Sequence, residues 1–257
     1  MKIEVLNNKD NKLSFVIEGI NPALANTLRR LILTEVPVLA IEEVEFEKNN
    51  SGLYDEILAH RLGLVPLKTD LKSYNIKSEC KCKGKGCALC ELKLTLNAEG
   101  GTVYASQLKS TDPKAIPVYP EMILVELIKK QKLELEATAI LGQGKTHMKF
   151  SPGLAYYRGY PEFVVKDNSN LKRIQEELKD IITIKGNNIH INDLKKWNER
   201  YEEVLEINNV QVKNSDKNFI FNIESWGQLS CKEMLMKALD LFNEKLDDFE
   251  SKIKKLK

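Results

Sequence analysis

The sequence predicts an α+β fold, and three features carry that prediction. Short runs alternate apolar and polar side chains, as in LSFVIE (13–18), LKLTLNA (92–98) and FIFNIES (219–225), the pattern of strands with one buried face. Two other runs, one near each end of the chain, place apolar side chains at helical spacing. A chain of 257 residues, 42% hydrophobic and 30% charged, can bury one large core or two to three small ones.

Taken in order, residues 2–6 and 13–18 read as strands around the turn NNKDNK. Asn21 can cap a helix, and Pro22 suits its first position. Leu24, Leu28, Leu31 and Ile32 then share one helix face, and Pro37 ends the element. In VLAIEEVEFE, Val44 and Phe46 alternate as in a strand, and Glu47–Gly52 reads as a loop and domain boundary. YDEILAHRLGLVPL reads as a short helix closed by Gly63 with an extended exit into Pro66. Residues 92–150 are strand-rich (LKLTLNA, GTVYAS, KLELEATAIL), with PVYPEM irregular between them. Residues 170–182 and 192–206 read as helices around the hairpin ITIKGNNIHIN, the second helix opening with Asn192 and Asp193 as cap candidates. FIFNIES is a late strand, and a long helix runs from about Gly227 to the end.

That last helix carries Leu235, Leu239, Phe242, Leu246, Phe249, Ile253 and Leu256, spaced 4, 3, 4, 3, 4, 3. This is a heptad seam, widened by Leu241. Burying such side chains yields about 1.5–3 kcal/mol each, of order 10–20 kcal/mol for the stripe. Association costs about 4–15 kcal/mol in lost freedom. The seam can therefore support a stable partnership if much of it is hidden. Part of it is expected to pack on the chain's own sheet and the rest on another polypeptide.

Net charge is +2, which gives no strongly basic coat for nucleic acid. MKIEVLNNKDNK lacks the apolar centre of a signal peptide. No apolar run approaches the roughly 18 residues that span a bilayer. The expected compartment is reducing cytosol, where clustered cysteines are more often metal ligands than disulfides. CKCKGKGCALC (80–90) holds four of the five cysteines. Cys80 and Cys82 lie two apart, and Cys87 and Cys90 form a C-x2-C knuckle, with Gly84 and Gly86 able to fold the backbone between them. The alternatives are unpaired or disulfide-linked cysteines, and an iron–sulfur cluster, although the spacing differs from the usual ferredoxin runs. Structural zinc is preferred: four thiolates make a closed tetrahedral site, and Lys81, Lys83 and Lys85 would partly offset its negative charge. His60, His147 and His190 stand alone and read as ordinary surface or core residues.

AILGQGKT (139–146) is similar to a phosphate-binding loop, but Ala139 stands where the first glycine is needed and HMKFSPG is no helix start. No nucleophile elbow, dinucleotide fingerprint or catalytic carboxylate pair is present, so no catalytic residue is assigned.

Several stretches together carry a family resemblance: NTLRRLILTEVPVLAIEEVEF, DEILAHRLGLVPL, VYASQLKS, GQGKTHMKFSPGLAYY and ESWGQLSCKEMLMKAL. In this order they resemble the D subunit of archaeal RNA polymerase, a relative of the third-largest subunit of eukaryotic polymerase II and of the N-terminal part of bacterial alpha. The resemblance implies a discontinuous dimerisation domain (1–45 and 205–257, a mixed sheet with two helices), a mainly β insert domain (46–152) with the cysteine loop, and a small ferredoxin-like α+β domain (153–204). It implies structural zinc on Cys80, Cys82, Cys87 and Cys90. It also implies a heterodimer with subunit L through the helix after Asn21 (Leu24, Leu28 and Leu31) and the C-terminal helix (Leu235, Leu239, Phe242, Leu246, Phe249 and Ile253). Arg29 and Arg30, with Leu33–Ile41, resemble the region that meets the second-largest subunit; read alone they are a solvated basic pair toward a helix end. The further partners implied are subunits N and P and the two largest subunits, with no membrane and no direct nucleic-acid contact.

Many subunits of this kind hold an iron–sulfur cluster in the third domain, but no cysteine lies between Cys90 and Cys231, so no such cluster is expected. The competing functions are a free-standing zinc module using Lys81, Lys83 and Lys85 on phosphates, and a metal-dependent enzyme. Low net charge weakens the first, and a closed four-thiolate site the second.

Overall fold

The structure, a computed structural model, describes every residue except Asp10, Asn168, Asn187, Lys195 and Lys257, together with the side chain of Glu199. Asp10 in the expected first turn and Asn187 in the expected hairpin turn thus lie outside the described residues. The elements are β1 (Lys2–Lys9), β2 (Lys12–Glu18), α1 (Pro22–Thr34), β3 (Pro37–Asn49), α2 (Asp55–Gly63), β4 (Glu91–Tyr104), β5 (Lys109–Ser110), β6 (Ile123–Gln143), β7 (Gly153–Val165), α3 (Leu171–Glu177), β8 (Ile182–Lys185), β9 (Asn188–Ile191), α4 (Glu199–Ile207), β10 (Val210–Ser225) and α5 (Cys231–Lys254). The class is α+β, as expected. The chain forms two compact units, Met1–Asn26 with Tyr156–Asn222, and Thr27–Ala155 with Ile223–Lys257.

The first unit is built on a sheet of order β1-β2-β10-β7. β1 and β2 pair antiparallel, Lys2 opposite Glu18 and Asn8 opposite Leu13, with the register slipping between Val5 and Asn7. One face is aromatic: Phe15 stacks on Phe221 at 5.4 Å, and Tyr157 lies 5.2 Å from Phe221 and 5.5 Å from Phe219. The sequence reading missed β7 because Gly159 and Pro161 interrupt its pattern. β7 is an edge strand, where a residue without an N–H need cost no ladder bond. Beside the sheet, α3, the β8–β9 hairpin and α4 enclose a core of Ile174, Ile182, Trp197, Leu205 and Val210. α4 starts at Glu199, not near 192. Asn198 takes the cap, its Oδ1 accepting the Arg200 amide at 3.1 Å. Asn192 serves the hairpin instead, accepting from the Thr183 hydroxyl at 2.7 Å.

The second unit contains a sheet of order β3-β6-β4-β5. The strand-rich expectation for 92–150 holds, but LKLTLNA and GTVY are one continuous β4 bent at Gly100–Gly101, and Ala105 and Ser106 leave it in a 3-10 turn. β6 begins at Ile123, directly after the irregular PVYPEM, and β3 runs on to Asn49, which opposes Leu133. The expected loop at 47–52 is therefore partly strand. Leu39, Ile41, Leu92, Leu94, Leu124 and Leu133 are among the core residues, and α2 adds Leu58 and Leu62. Arg61 locks α2 to β6, donating to the carbonyls of Leu124 and Ile123 at 2.8 and 2.9 Å.

The first helix starts and caps as expected, whereas α5 starts at Cys231, not near Gly227. Asn21 Oδ1 accepts the Leu24 amide at 2.8 Å. α5 opens with a capping box: Ser230 Oγ accepts the Glu233 amide at 3.2 Å, and Glu233 accepts the Ser230 amide at 2.8 Å. Leu256 lies past the end of the helix. The phosphate-loop lookalike is a packing turn. A Cβ on Gly144 would strike the Leu33 carbonyl, and the Lys145 ammonium goes to Glu35 at 3.2 Å.

Candidate functional site: the cysteine cage and the terminal helix

The cysteine loop follows a single 3-10 turn at Lys77–Glu79 and feeds directly into β4. The Lys83 amide donates to the Cys80 carbonyl at 2.9 Å, and the Cys90 and Glu91 amides both donate to the Cys87 carbonyl at 2.9 Å. These two turns bring the four sulfurs within 4.8 Å of one another. Cys80–Cys87 and Cys82–Cys90 are 3.6 Å apart and Cys87–Cys90 3.7 Å. Four thiolates at about 2.3 Å around one ion have sulfur–sulfur edges of about 3.8 Å, so the cage fits a single tetrahedral metal ion. A disulfide needs sulfurs at about 2.05 Å, and all four cysteines are free.

The electrostatics call for a cation. Burial pushes the Cys90 thiol up to about 12. Burial also opposes ionisation of Cys82, but hydrogen bonds from Cys80 and Cys90, and then from the Gly86 and Gly84 amides, hold it at about 7. Four such thiols cannot ionise together in one cage unless a positive ion sits among them. Lys81, Lys83 and Lys85 are exposed, and Leu89 is exposed too, so the loop has no apolar core of its own.

A clamp outside the cage escaped the sequence reading. Glu91 bonds Lys77 at 2.5 Å, tying the first strand residue back to the entrance of the loop. Gly86 has φ +89°, and a Cβ there would lie 2.6 Å from Glu91 Oε1. The backbone requires the glycine, and a side chain there would also make the Glu91 carboxylate shift. No spacing rule points to Glu91; only the neighbouring C-x2-C knuckle hints that its flanks are constrained.

The expected partner residues divide by exposure. On α1, Leu24 and Arg30 are exposed, and Leu28 and Arg29 are half-buried. Leu31 is only 6% exposed; it belongs to this chain's own core and has little surface for a partner. On α5, Met234 and Ala238 are fully buried and Leu235 and Phe242 half-buried. From Asn243 to Lys254 every side chain is exposed. Leu246 at 49%, Phe249 at 63% and Ile253 at 49% continue the apolar stripe started by the exposed Leu239.

Glu35, just after α1, was not anticipated as a tie. It bonds Lys245 of α5 at 2.8 Å and Lys145 at 3.2 Å. Burial raises its pKa, but the two lysines outweigh that and hold its carboxyl below the usual range. Its partners lie far away in sequence, so no local signal reveals the clasp. Two of the supposedly isolated histidines, His60 and His147, line one hollow of about 230 Å³. Among the described residues the four cysteines are the only group arranged to hold a metal, and no helix is long and apolar enough to cross a membrane.

Residues 44–152, which contain α2, the cage and β4–β6, match the family model described as the RNA polymerase Rpb3/RpoA insert domain. The match places this stretch with the insert domain of Rpb3/RpoA-type polymerase subunits. Almost the whole chain is similar to DNA-directed RNA polymerase subunit Rpo3 of Archaeoglobus fulgidus, 36% identical over 99% of this chain and 98% of that protein. The same subunit of Methanosarcina acetivorans is 38% identical over 96% of both chains. That of Pyrococcus furiosus is 33% identical over 100% of this chain and 98% of its own. The chain belongs to the family of archaeal DNA-directed RNA polymerase subunit Rpo3, the D subunit of that enzyme.

Proposed function

We propose that this chain is a non-catalytic assembly subunit of DNA-directed RNA polymerase that pairs with the small subunit L. It takes part in nucleotidyl transfer only as a member of the complex. The observation that carries the pairing is the bare seam of α5. From Asn243 to Lys254 the helix runs about 18 Å with no side chain buried, although Lys245 reaches back to Glu35. An isolated helix of that length is marginal in water. Leu246, Phe249 and Ile253 therefore call for an apolar cover, which a partner helix supplies. Leu24 and Leu28 of α1 extend the pairing surface.

On the same reading, subunits N and P and the two largest subunits join this pair. Arg29 and Arg30 meet the second-largest subunit, and the site of action is the cytosol. The division into dimerisation (1–45 and 205–257), insert (46–152) and ferredoxin-like (153–204) domains is part of this proposal. So is zinc as the resident ion of Cys80, Cys82, Cys87 and Cys90. There it would act as a structural cross-link, because four protein ligands leave no coordination position for chemistry.

The test is size exclusion of the full chain with and without subunit L. A stable one-to-one complex is expected, and the double substitution Leu246→Asp with Phe249→Asp should abolish it without unfolding the rest, since both side chains are exposed. A well-behaved monomer that ignores subunit L would overturn the pairing. Metal analysis of the purified protein should find one zinc per chain and neither iron nor acid-labile sulfide.

A further inference from the structure

The sheet of the first unit has a second face, and that face is polar. Strand alternation puts Phe15, Tyr157, Phe219 and Phe221 on the aromatic side. Their neighbours Ser14, Tyr156, Arg158, Ile220 and Asn222 therefore fall on the other. Those side chains form the floor of a cleft of about 660 Å³, and Leu194, Trp197, Asn198 and Arg200 form its wall. The volume lies within the range of about 300–1,000 Å³ usual for small-molecule sites.

The lining is built for an anion. It contains two guanidinium groups, Arg158 and Arg200, and no acid among the described lining residues. Arg158 is anchored through one nitrogen, which donates to the Trp197 carbonyl at 3.1 Å, and its other donors remain. Arg200 makes no ion pair with any described residue and stands at the start of α4, where the helix end adds positive potential. Ser14 donates to Asn222 Oδ1 at 2.7 Å, which fixes that amide so that its own N–H groups can serve the cleft.

The rim carries an independent sign of a built site. The register of β1 slips between Val5 and Asn7, so that consecutive residues Leu6 and Asn7 both line the cleft. A regular strand would send one of them to the opposite face; a bulge re-aims side chains in this way. Tyr156, 51% exposed, offers an aromatic surface on the same floor as Arg158.

We propose that this cleft binds the phosphates of a nucleotide. Arg158 and Arg200 hold the phosphate oxygens by charge-assisted hydrogen bonds. Tyr156 stacks on the base, and the amides of Asn7 and Asn222 meet polar edges. The phosphates can come from a free nucleotide or from a single-stranded nucleic acid, and the two sources share this chemistry. The inference does not depend on pairing through α5, which lies on other residues.

Isothermal titration of the full chain with ADP, pyrophosphate, adenosine and a short single-stranded RNA tests the assignment. ADP and pyrophosphate should bind saturably, one per chain, and adenosine should not. Arg200→Gln should weaken ADP about tenfold, the size of one charge-assisted contact. Tyr156→Ala should weaken ADP but leave pyrophosphate unchanged. Arg200 and Tyr156 are exposed, so neither substitution should lower the melting temperature, and a melt of each variant checks this. Tighter binding of RNA than of ADP, lost in Arg200→Gln, identifies chain phosphates as the source; the reverse order identifies the free nucleotide. No saturable binding of any phosphate probe at millimolar concentration overturns the proposal. So does equal ADP affinity in wild type and Arg200→Gln, or binding of an acidic peptide with no response to ADP.

Discussion

The cysteine loop, residues 76–90, and the segment from Phe163 to Val212 face one problem and meet it in opposite ways. Each is a small part of the chain that must keep its shape. Cys80 and Cys90 are buried in the loop and Ile76 packs partly on the neighbouring core, while most of its other side chains are exposed. The segment closes α3, the β8–β9 hairpin and α4 over Trp197, Ile174 and Leu205 without a single cysteine. Short stretches of chain cannot bury enough surface to offset their ordering entropy unless something cross-links them. The four-cysteine cage could hold an ion that does this for the loop. In the segment the larger length allows an apolar core.

The largest expected effect separates the two directly. Structural zinc in thiolate sites contributes about 10–16 kcal/mol of apparent binding energy, which for such loops is folding energy. Chelation, or Cys82→Ser, should abolish amide-exchange protection across 76–90 and leave 163–212 unchanged. Loss of protection in both regions would mean that the two are not held independently. Trp197→Ala probes the converse. Trp197 is 3% exposed, packs on Phe163 at 5.5 Å, and donates to Glu202 at 3.0 Å. Its removal should cost about 3–5 kcal/mol. Exchange should rise over 171–212 while metal content stays constant. A metal content that falls with Trp197→Ala would break the comparison.

The two regions also differ in how openly the sequence declares them. Ligand spacing is local, so C-x-C-x4-C-x2-C could be read as a cage before any fold was known. The pairing of Trp197 with Phe163 is not local, and α4 was misplaced because Asn192 and Asp193 look like caps as good as Asn198. The heptad seam of α5 was legible for the same reason as the cysteines, since periodicity needs no tertiary information. β7 was invisible because Gly159 and Pro161 are read as breakers until its place at a sheet edge is known. The clamp from Lys77 to Glu91 and the clasp at Glu35 join residues whose proximity exists only after folding. Arg158 and Arg200 come together in one cleft for the same reason.

Gly86→Ala sharpens the comparison at a smaller scale. The residue has φ +89°, and the new Cβ would meet the Glu91 carboxylate. A positive φ alone costs more than about 1 kcal/mol for alanine. Part of that cost should appear as weaker metal binding, because the loop must fold to assemble its ligands. A competition titration against a chromogenic chelator should show about a tenfold loss of zinc affinity, with Glu91→Ala relieving some of it. Unchanged affinity would mean that the cage forms without help from its backbone.

The smallest effect concerns the clasp at Glu35, which belongs to neither scheme. It is an ion pair with Lys245 and Lys145 whose lysines are about half exposed. Such a pair contributes at most about 1 kcal/mol. Because the folded carboxyl is held below its ordinary value of 4.5, the contribution is full above that value and fades as pH falls below it. Wild type and Glu35→Gln should therefore differ slightly in denaturant midpoint near neutral pH and converge in acid. Acid acts on the three kinds of tie differently. It protonates thiolates and so competes with metal in the cage, it removes the clasp, and it leaves the Trp197 core without a group to titrate among its buried apolar members. Exchange measured region by region during an acid titration should thus release 76–90 and the α1–α5 clasp before the interior of 163–212. If 163–212 opens first, its stability rests on charges rather than on Trp197, Ile174 and Leu205, and the contrast between staple and core fails there.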